Sequence, residues 1–158
     1  MPNFMTRKTR DRLLERLRNL KSVESIKISK EIGVAREMGD LRENAEYDAA
    51  KNKQVLIVAE IRSLEAKLSE TQLIEELPIT AEIVSIGTVV ELEDINGKNR
   101  ETFTILGADD TDLENHCISY LSPLAKGIIG KASGEEVKVI LPESTRDVRI
   151  ISISKIPK

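Results

Sequence analysis

Carboxylates are concentrated around one glycine in the first half of the chain. Asp40 and Glu43 follow Gly39 closely, and three further acidic residues surround the pair: Glu37, Glu46 and Asp48. Residues three apart on a helix have Cβ atoms about 5–6 Å from one another. The carboxylates of Asp40 and Glu43 can therefore face a single site.

The same residues have the types expected of a turn between two helices. Glycine takes a positive φ without a steric penalty, so Gly39 suits the position just after a helix. Asp40 suits the N-cap of a second helix, and Glu43 three residues later completes a capping box. A cap needs only one carboxylate, but a capped turn is also a rigid place to hold several. Both interpretations therefore stay open.

Apolar residues on both sides of this turn repeat at intervals of three and four, as in helices that pack along a narrow seam. The repeat comprises Leu13, Leu17, Leu20, Ile28, Ile32 and Ala35 before the turn, and Ala50, Gln54, Ile57, Ile61, Leu64 and Leu68 after it. Two helices joined by a short turn must be antiparallel neighbours. We predict an irregularity near residues 22–25, where the repeat is interrupted. Residues 1–8 are expected to form a loose leader, with a helix cap at Thr6 or Thr9.

The pattern changes at Pro78, which disfavours helix in the residue before it. Beyond this point the residues alternate as in strands, over residues 88–93, 101–106, 118–121, 137–141 and 148–153. Asn96-Gly97 is a strong hairpin turn signal between the first two.

One short helix is predicted within this second half. Ser122 suits its N-cap, Pro123 its first position and Gly130 the position after its end. The predicted fold class is therefore α+β with two domains. The first is an antiparallel helical coiled-coil hairpin over residues 1–77, with an acidic tip near residues 39–44. The second is a small antiparallel sheet with a short helix over residues 78–158.

Composition narrows the classes of function. The formal net charge of −3 argues against wholesale binding to bare nucleic acid, since domains that bind it are usually basic. The single Cys117 cannot form an internal disulfide and fits a reducing cytosol. No secretory signal opens the chain, and its longest apolar run, residues 55–59, is too short to span a bilayer. We expect a cytoplasmic protein without membrane contact.

The residues needed for a self-contained active site are missing from the sequence. His116 is the only histidine, and Cys117 beside it would point to the opposite face of a strand, so the two make a poor metal pair. Residues 127–134 lack the glycine frame of a phosphate loop. With one histidine, no nucleophile–base pair can be recognised. The chain is therefore predicted not to be an enzyme.

Two stretches resemble a known family. Residues 35–51 read AREMGDLRENAEYDAAK, and residues 122–131 read SPLAKGIIGK. The first closely resembles the tip signature of the Gre family of bacterial transcript cleavage factors, and the second resembles that family's C-terminal signature. Their order and spacing also match, and the likeness runs from about Met5 to the end.

This resemblance implies a coiled-coil hairpin followed by a domain of FK506-binding-protein-like fold. It also implies docking at the secondary channel of bacterial RNA polymerase, with the tip reaching the polymerase active site. There, Gre factors stimulate the polymerase's own cleavage of the nascent RNA 3′ end in backtracked complexes. Asp40 and Glu43 match the family's essential tip acids, and Arg36 and Lys51 match its RNA-contacting basic residues. Ser122, Pro123 and Leu124 match the polymerase-docking segment.

The implied chemistry suits the tip residues. Hydrolysis at a two-metal centre uses one ion to activate water and another to stabilise the leaving oxygen. Mg²⁺ is commonly held by one or two carboxylates together with phosphate oxygens and waters. We therefore expect no cofactor of the protein's own, but a Mg²⁺ ion shared with the polymerase active site through Asp40 and Glu43. The free protein is expected to be a monomer.

Two alternatives stay open at the level of sequence. The first is a regulator that enters the polymerase channel without promoting cleavage. The second is a coiled-coil scaffold or RNA-binding arm, which the basic residues at the start of the first helix would suit. No acids beyond the family's usual set lie between Gly39 and Asn44, which argues against the family's inhibitory relatives. The moderately basic hairpin resembles the less basic of the family's two cleavage-factor branches.

Overall fold

The computed structural model describes residues 3–39 and 44–157. The chain divides into two compact units. One comprises Arg10–Glu70, and the other comprises Met1–Thr9 together with Thr71–Lys158. This division differs from the predicted boundary between residues 77 and 78. The residues just before and just after the helical unit belong to the sheet-containing unit, because Asn3–Met5 and Thr71–Leu73 form short strands that pair with each other.

The helical unit is built from two long helical segments. The first consists of α1 (Arg7–Asn19), a π-helical turn at Leu20–Glu24 and α2 (Ser25–Glu37), and the second is α3 (Ala45–Ser69). The buried side chains lie at the predicted positions: Leu20, Ile28, Ile32, Ala35, Ala50, Ile57 and Leu64. We call this row the seam. The predicted helical hairpin is thereby confirmed.

Ion pairs beside the seam show that the helices run antiparallel. Lys53 on α3 pairs with Glu31 on α2 at 3.9 Å, whereas Glu65, further along α3, pairs with the earlier Lys21 at 2.8 Å. Residues later in one helix therefore face residues earlier in the other. All four of these side chains are about half exposed, so the pairs define the register more than they stabilise it.

The predicted irregularity is a π-helical turn. It occupies Leu20–Glu24, and the Ser22 hydroxyl donates to the Arg18 carbonyl at 2.7 Å. A π turn inserts one extra residue into a helix and shifts its faces. Because of it, the fully buried Leu20 and the buried Ile28 share one side although the simple repeat is broken between them.

The second unit contains a five-stranded sheet. Its strands are β3 (Thr88–Asp94), β4 (Arg100–Leu106), β5 (Cys117–Ser119), β6 (Glu136–Ile140) and β7 (Thr145–Lys155), in the order β5-β4-β3-β7-β6. The pairs are antiparallel except β4–β5, which is parallel. The sheet is therefore mixed, whereas the sequence predicted only antiparallel strands. The parallel pair arises because residues 107–116 carry the chain back along β4 before β5 begins. The strand β7 is longer than predicted, since the turn before it closes tightly from Leu141 to Ser144.

One helix, α4 (Pro123–Ile128), packs on this sheet. The core comprises Ala125 and Ile128 of the helix and alternate residues of the strands, among them Val90, Leu92, Phe103, Ile105, Val139, Val148 and Ile150. The helix comes so close to β6 that a Cβ on Gly127 would lie 2.8 Å from a methyl group of Val139. The predicted α+β class with a short helix on a sheet is confirmed.

The first residues are not a loose leader, and that prediction is wrong. Asn3–Met5 form β1, which pairs in parallel with β2 (Thr71–Leu73). The ring of Phe4 packs edge-on against Tyr120 with centroids 5.8 Å apart. The sequence shows no strand signal here because three residues are too few to display an alternating pattern.

A buried carboxylate fixes the start of α1 in this unit. Asp110 is 9 % exposed, and its oxygens accept from the Thr6 hydroxyl at 2.7 Å, from the Thr6 N–H at 3.2 Å and from the Gly107 N–H at 3.0 Å. Thr6 in turn accepts from the Thr9 N–H at 3.3 Å, so Thr6 is the cap of the first helix. The Arg7 N–H donates to Glu75 at 3.0 Å. Carboxylates near a helix start are favourable because its N–H groups are otherwise unpaired.

We predict that Gly107→Ala destabilises this unit. A Cβ at this position would overlap the carbonyl oxygen of Phe4, so β1 would have to move and the bonds to Asp110 would weaken. The expected loss is about 1–3 kcal/mol in the free energy of unfolding, measured by chemical denaturation. Gly97→Ala is the matched control, because its Cβ would meet nothing closer than 3.7 Å. Equal stabilities for the two variants would contradict the close packing of β1.

Candidate functional site

The candidate site is the turn between α2 and α3. Its predicted acids, Asp40 and Glu43, lie outside the described residues, so the structure is informative about the residues on either side of them. The helix α2 ends where the Met38 N–H donates to the Ala35 carbonyl at 3.2 Å. Gly39 follows with a φ of +142°, a value that favours glycine, as the sequence predicted.

Asn44 is the N-cap of α3. Its side-chain oxygen accepts from the backbone N–H groups of Glu46 and Tyr47, each at 3.1 Å. Its side-chain amide also donates to the Ala35 carbonyl in the last turn of α2. The prediction that Asp40 caps the second helix is therefore wrong, since α3 begins at Ala45. The sequence prediction chose Asp40 because Glu43 lies at the spacing of a capping box, although asparagine is an equally favoured cap.

The two basic residues predicted to contact RNA lie together. Arg36 and Lys51 are on different helices, and both line one groove of about 250 Å³, together with Ser29, Ile32, Gly33 and Gln54. Both side chains are exposed, and neither forms an ion pair with an acidic residue within residues 3–39 and 44–157. The Lys51 ammonium makes only a long contact of 3.4 Å with the Gln54 side chain. Among the described residues, these two positive charges lie beside the turn without an acidic partner.

This groove is open between its charged ends. A Cβ on Gly33 would meet no other heavy atom within 4 Å, so the middle of the groove is unobstructed. Ile32 is buried and belongs to the seam, which makes that part of the groove rigid.

The predicted docking segment is a capped helix start. The Ser122 hydroxyl oxygen accepts from the Ala125 N–H at 3.4 Å, and Pro123 occupies the first turn of α4. Leu124 is half-buried against the sheet core, and Gly130 follows the helix with a φ of +89°. The neighbouring Leu121 is 52 % exposed and Ile129 is 37 % exposed. The segment therefore combines a fixed backbone with apolar side chains at the surface.

His116 and Cys117 show no sign of a reactive site. The ring of His116 lies against Phe103 with centroids 5.6 Å apart. Burial, foremost, raises the pKa of the Cys117 thiol, with the charges of Asp112 and Asp110 acting in the same direction. The thiol therefore stays protonated and weakly nucleophilic at neutral pH. In the described part of the chain, no three His, Cys, Asp or Glu side chains form a group that could hold a metal ion.

Among the helices the structure describes, none is both long enough and apolar enough to cross a membrane.

Two family models match the chain. The one described as "Transcription elongation factor, N-terminal" covers residues 3–73, and the one described as "Transcription elongation factor, GreA/GreB, C-term" covers residues 79–155. Together they include the turn, the groove beside it and the segment around α4.

Curated relatives resemble the chain over nearly its whole length. Transcription elongation factor GreA of Streptococcus pyogenes is 36% identical over 151 residues, which cover 96% of this chain and 94% of the relative. GreA of Thermodesulfovibrio yellowstonii is 40% identical over 150 residues, 95% of each chain. Among solved structures, GreA factor homolog 1 (Gfh1) of Thermus thermophilus is 26% identical with a TM-score of 0.44, covering 98% of this chain and 99% of that one.

We predict that Ser122→Ala weakens the start of α4. Removing an N-cap hydroxyl leaves the Ala125 N–H without its partner, at a cost of about 1 kcal/mol. The measurement is the free energy of unfolding, and Ser122→Asp should restore it because aspartate is an equally good cap. Ser154→Ala is the control on an exposed position of β7. If Ser122→Asp proved as unstable as Ser122→Ala, the hydroxyl would not be acting as a cap.

Proposed function

Because the chain belongs to the GreA/GreB family of transcription elongation factors, we propose that it stimulates RNA polymerase to cleave backtracked nascent RNA. In this proposal the hairpin enters the secondary channel of the polymerase and presents Asp40 and Glu43 to the active site. The observation that carries the proposal is the turn held by Asn44, whose ends bracket these two acids. The protein is then an accessory factor, and the hydrolysis is the polymerase's own reaction.

The two tip acids fit a shared magnesium site. Mg²⁺ prefers oxygen ligands, and it is often held by one or two carboxylates while it keeps several waters. In a two-metal centre the ions activate water and stabilise the leaving oxygen. Asp40 and Glu43 would add ligands to an ion that the polymerase alone holds weakly, or would orient the attacking water.

Arg36 and Lys51 suit the RNA that leaves the active site on backtracking. Their charges are exposed and without an acidic partner in the described part of the hairpin, and they border the same open groove. Phosphate groups bind such residues with little sequence preference. Contacts of this kind would hold the RNA 3′ segment beside the tip without reading its bases.

The start of α4 suits docking on the polymerase surface. Ser122 and Pro123 fix the backbone, and the exposed Leu121 and Ile129 offer apolar area next to it. The buried core of a protein interface is more apolar than the rest of the surface, and these two side chains suit such a core. Docking through this segment would leave the hairpin free to enter the channel.

We predict that Asp40→Asn and Glu43→Gln each abolish stimulated cleavage without loss of polymerase binding. An amide keeps the size of the carboxylate but removes its negative charge, so it is a much weaker ligand for a metal ion. Cleavage of labelled RNA in halted complexes and the affinity for polymerase are measured side by side. Asp48→Asn, which changes an exposed acid in the first turn of α3, is the matched control and should retain activity.

Two outcomes would contradict this function. Unchanged cleavage by both amide variants would show that the tip acids do not take part. Binding of the unaltered protein without any RNA shortening would indicate a channel-binding regulator instead.

We predict that Arg36→Ala weakens the action on backtracked complexes. Losing one phosphate contact should raise the protein concentration needed for half-maximal cleavage several-fold. When the logarithm of that concentration is plotted against the logarithm of the salt concentration, the slope should become about one unit less steep. Arg62→Ala removes the same exposed side chain from α3 outside this groove, and it should have little effect. Equal losses in the two variants would mean that only the overall charge of the hairpin matters.

A further inference from the structure

We propose that a second groove of the helical hairpin is a docking site for an acidic, amphipathic helix of RNA polymerase. We call it the lysine groove, and its volume is about 550 Å³. It is lined by Lys27, Lys30, Glu31, Val34 and Ala35 of α2 and by Glu46, Ala49, Ala50 and Lys53 of α3. The inference rests on the proposed function, because it concerns how the polymerase recognises the hairpin.

The lysine groove lies on a different side of the hairpin from the groove of Arg36 and Lys51. The residues given for one groove do not recur in the other. On α2, Lys27 and Val34 are seven residues apart and share one stripe, while Ser29 and Arg36 share another. An offset of two residues is about 200° around a helix, so the two stripes face nearly opposite directions. The two grooves can therefore bind different partners.

The lysine groove is lined mainly by apolar surface. Ala35 and Ala50 of the seam are buried beside it, and Ala49 adds a small exposed side chain. Val34 is 59 % exposed. Leu56 is 71 % exposed and follows Ala49 by seven residues, so it continues the same stripe of α3. Covering these side chains would remove apolar area from water, which favours association.

The charges of this groove favour an acidic partner. Lys27 and Lys30 are exposed, and neither forms an ion pair within residues 3–39 and 44–157. Two acids also line the groove, but Glu31 pairs with Lys53 at 3.9 Å. Glu46 lies in the first turn of α3, where the unpaired N–H groups of the helix favour a negative charge. The uncompensated charge along α2 is therefore positive.

The shape of the groove favours a helix as the occupant. Its walls are two antiparallel helices, and an amphipathic helix can lay its apolar side into a hydrophobic groove of this kind. Packed helices lie about 8–10 Å apart, and the small alanines beside the groove permit a close approach. A small molecule usually has about 70–90% of its surface buried, which an open groove does not provide. An RNA strand would pair with the two lysines but would gain little from Val34 and Leu56.

The first part of the experiment changes the shape and apolar surface of the groove. Ala49→Leu fills it, and Ala66→Leu makes the same change at an exposed position of α3 outside it. Val34→Ser removes apolar surface, and Val55→Ser is its control at a valine that is 65 % exposed. The affinity of each variant for purified polymerase is measured, and thermal unfolding shows whether the hairpin persists.

We expect Ala49→Leu and Val34→Ser to weaken polymerase binding about 10-fold each, because interface cores are packed as closely as protein interiors. The two controls should bind as the unaltered protein does. Cleavage at saturating concentrations of each variant should be unchanged, since the groove contributes to docking and not to the reaction.

The second part tests the charge of the partner. Lys27→Glu and Lys30→Glu should each weaken binding about 10-fold at low salt, because like charges would then face each other. The difference from the unaltered protein should shrink as salt is added. Arg62→Glu reverses an exposed charge of α3 outside the lysine groove, and it should have a smaller effect.

The third part identifies the occupant. A benzophenone label is attached to Leu56→Cys in a Cys117→Ser background, and Val58→Cys carries the same label as a control. The two positions differ by about 200° around α3. After irradiation of the polymerase complex, the label at position 56 should crosslink to a polymerase helix in which acidic residues flank an apolar stripe. The label at position 58 should not crosslink to that helix.

Three results would overturn the inference. They are full polymerase affinity in Ala49→Leu and in both lysine variants, losses equal to those of the matched controls, or a crosslink from position 56 to RNA or to a second copy of this chain. If the unaltered protein failed to bind polymerase, the proposed function would fail. Binding by the unaltered protein with no effect of the groove variants would instead refute only the lysine groove.

Discussion

One amide side chain joins the ends of the two helices on either side of the turn. Asn44 caps α3 and bonds to the end of α2, so the chain reverses direction at a defined separation of the helices. Gly39 permits this reversal with its positive φ. The acidic segment, the groove with Arg36 and Lys51 and the end of the seam all adjoin this point. A carboxylate pair can serve another protein's active site only if its own support is rigid.

The hairpin is stabilised differently along its length. Large apolar side chains such as Leu20, Ile57 and Leu64 fill the seam away from the turn. Next to the turn, the buried residues are alanines, and the partly buried Tyr47 packs against them. Alanines bury less apolar area than the larger seam residues, so the bonds of Asn44 contribute more at this end of the hairpin. The second unit has a conventional core under α4, with Asp110 fixing the start of α1 in it.

Much of this fold could be predicted from the sequence, and the reasons are local. The intervals of three and four located the seam, the interruption near Ser22 located the π turn, and Ser122, Pro123 and Gly130 located α4. β1 could not be found, because its partner β2 lies more than sixty residues away and neither strand is long enough to show a pattern. The parallel β4–β5 pair was missed for a related reason, since the direction of β5 depends on how the preceding loop packs.

At the candidate site the residue types were informative, but their roles were harder to assign. Arg36 and Lys51 are predicted together from the family resemblance, and the structure places both along one groove. The cap was placed at Asp40 instead of Asn44, since sequence cannot show which of several suitable caps the helix uses. The roles of Asp40 and Glu43 remain predictions that rest on the family and on the geometry around them.

The most direct test of this account is to add the protein to halted RNA polymerase complexes that carry end-labelled, backtracked RNA. The account predicts rapid, Mg²⁺-dependent release of short 3′ fragments, followed by renewed elongation from the shortened transcript. Stable binding to these complexes with transcripts of unchanged length would contradict it.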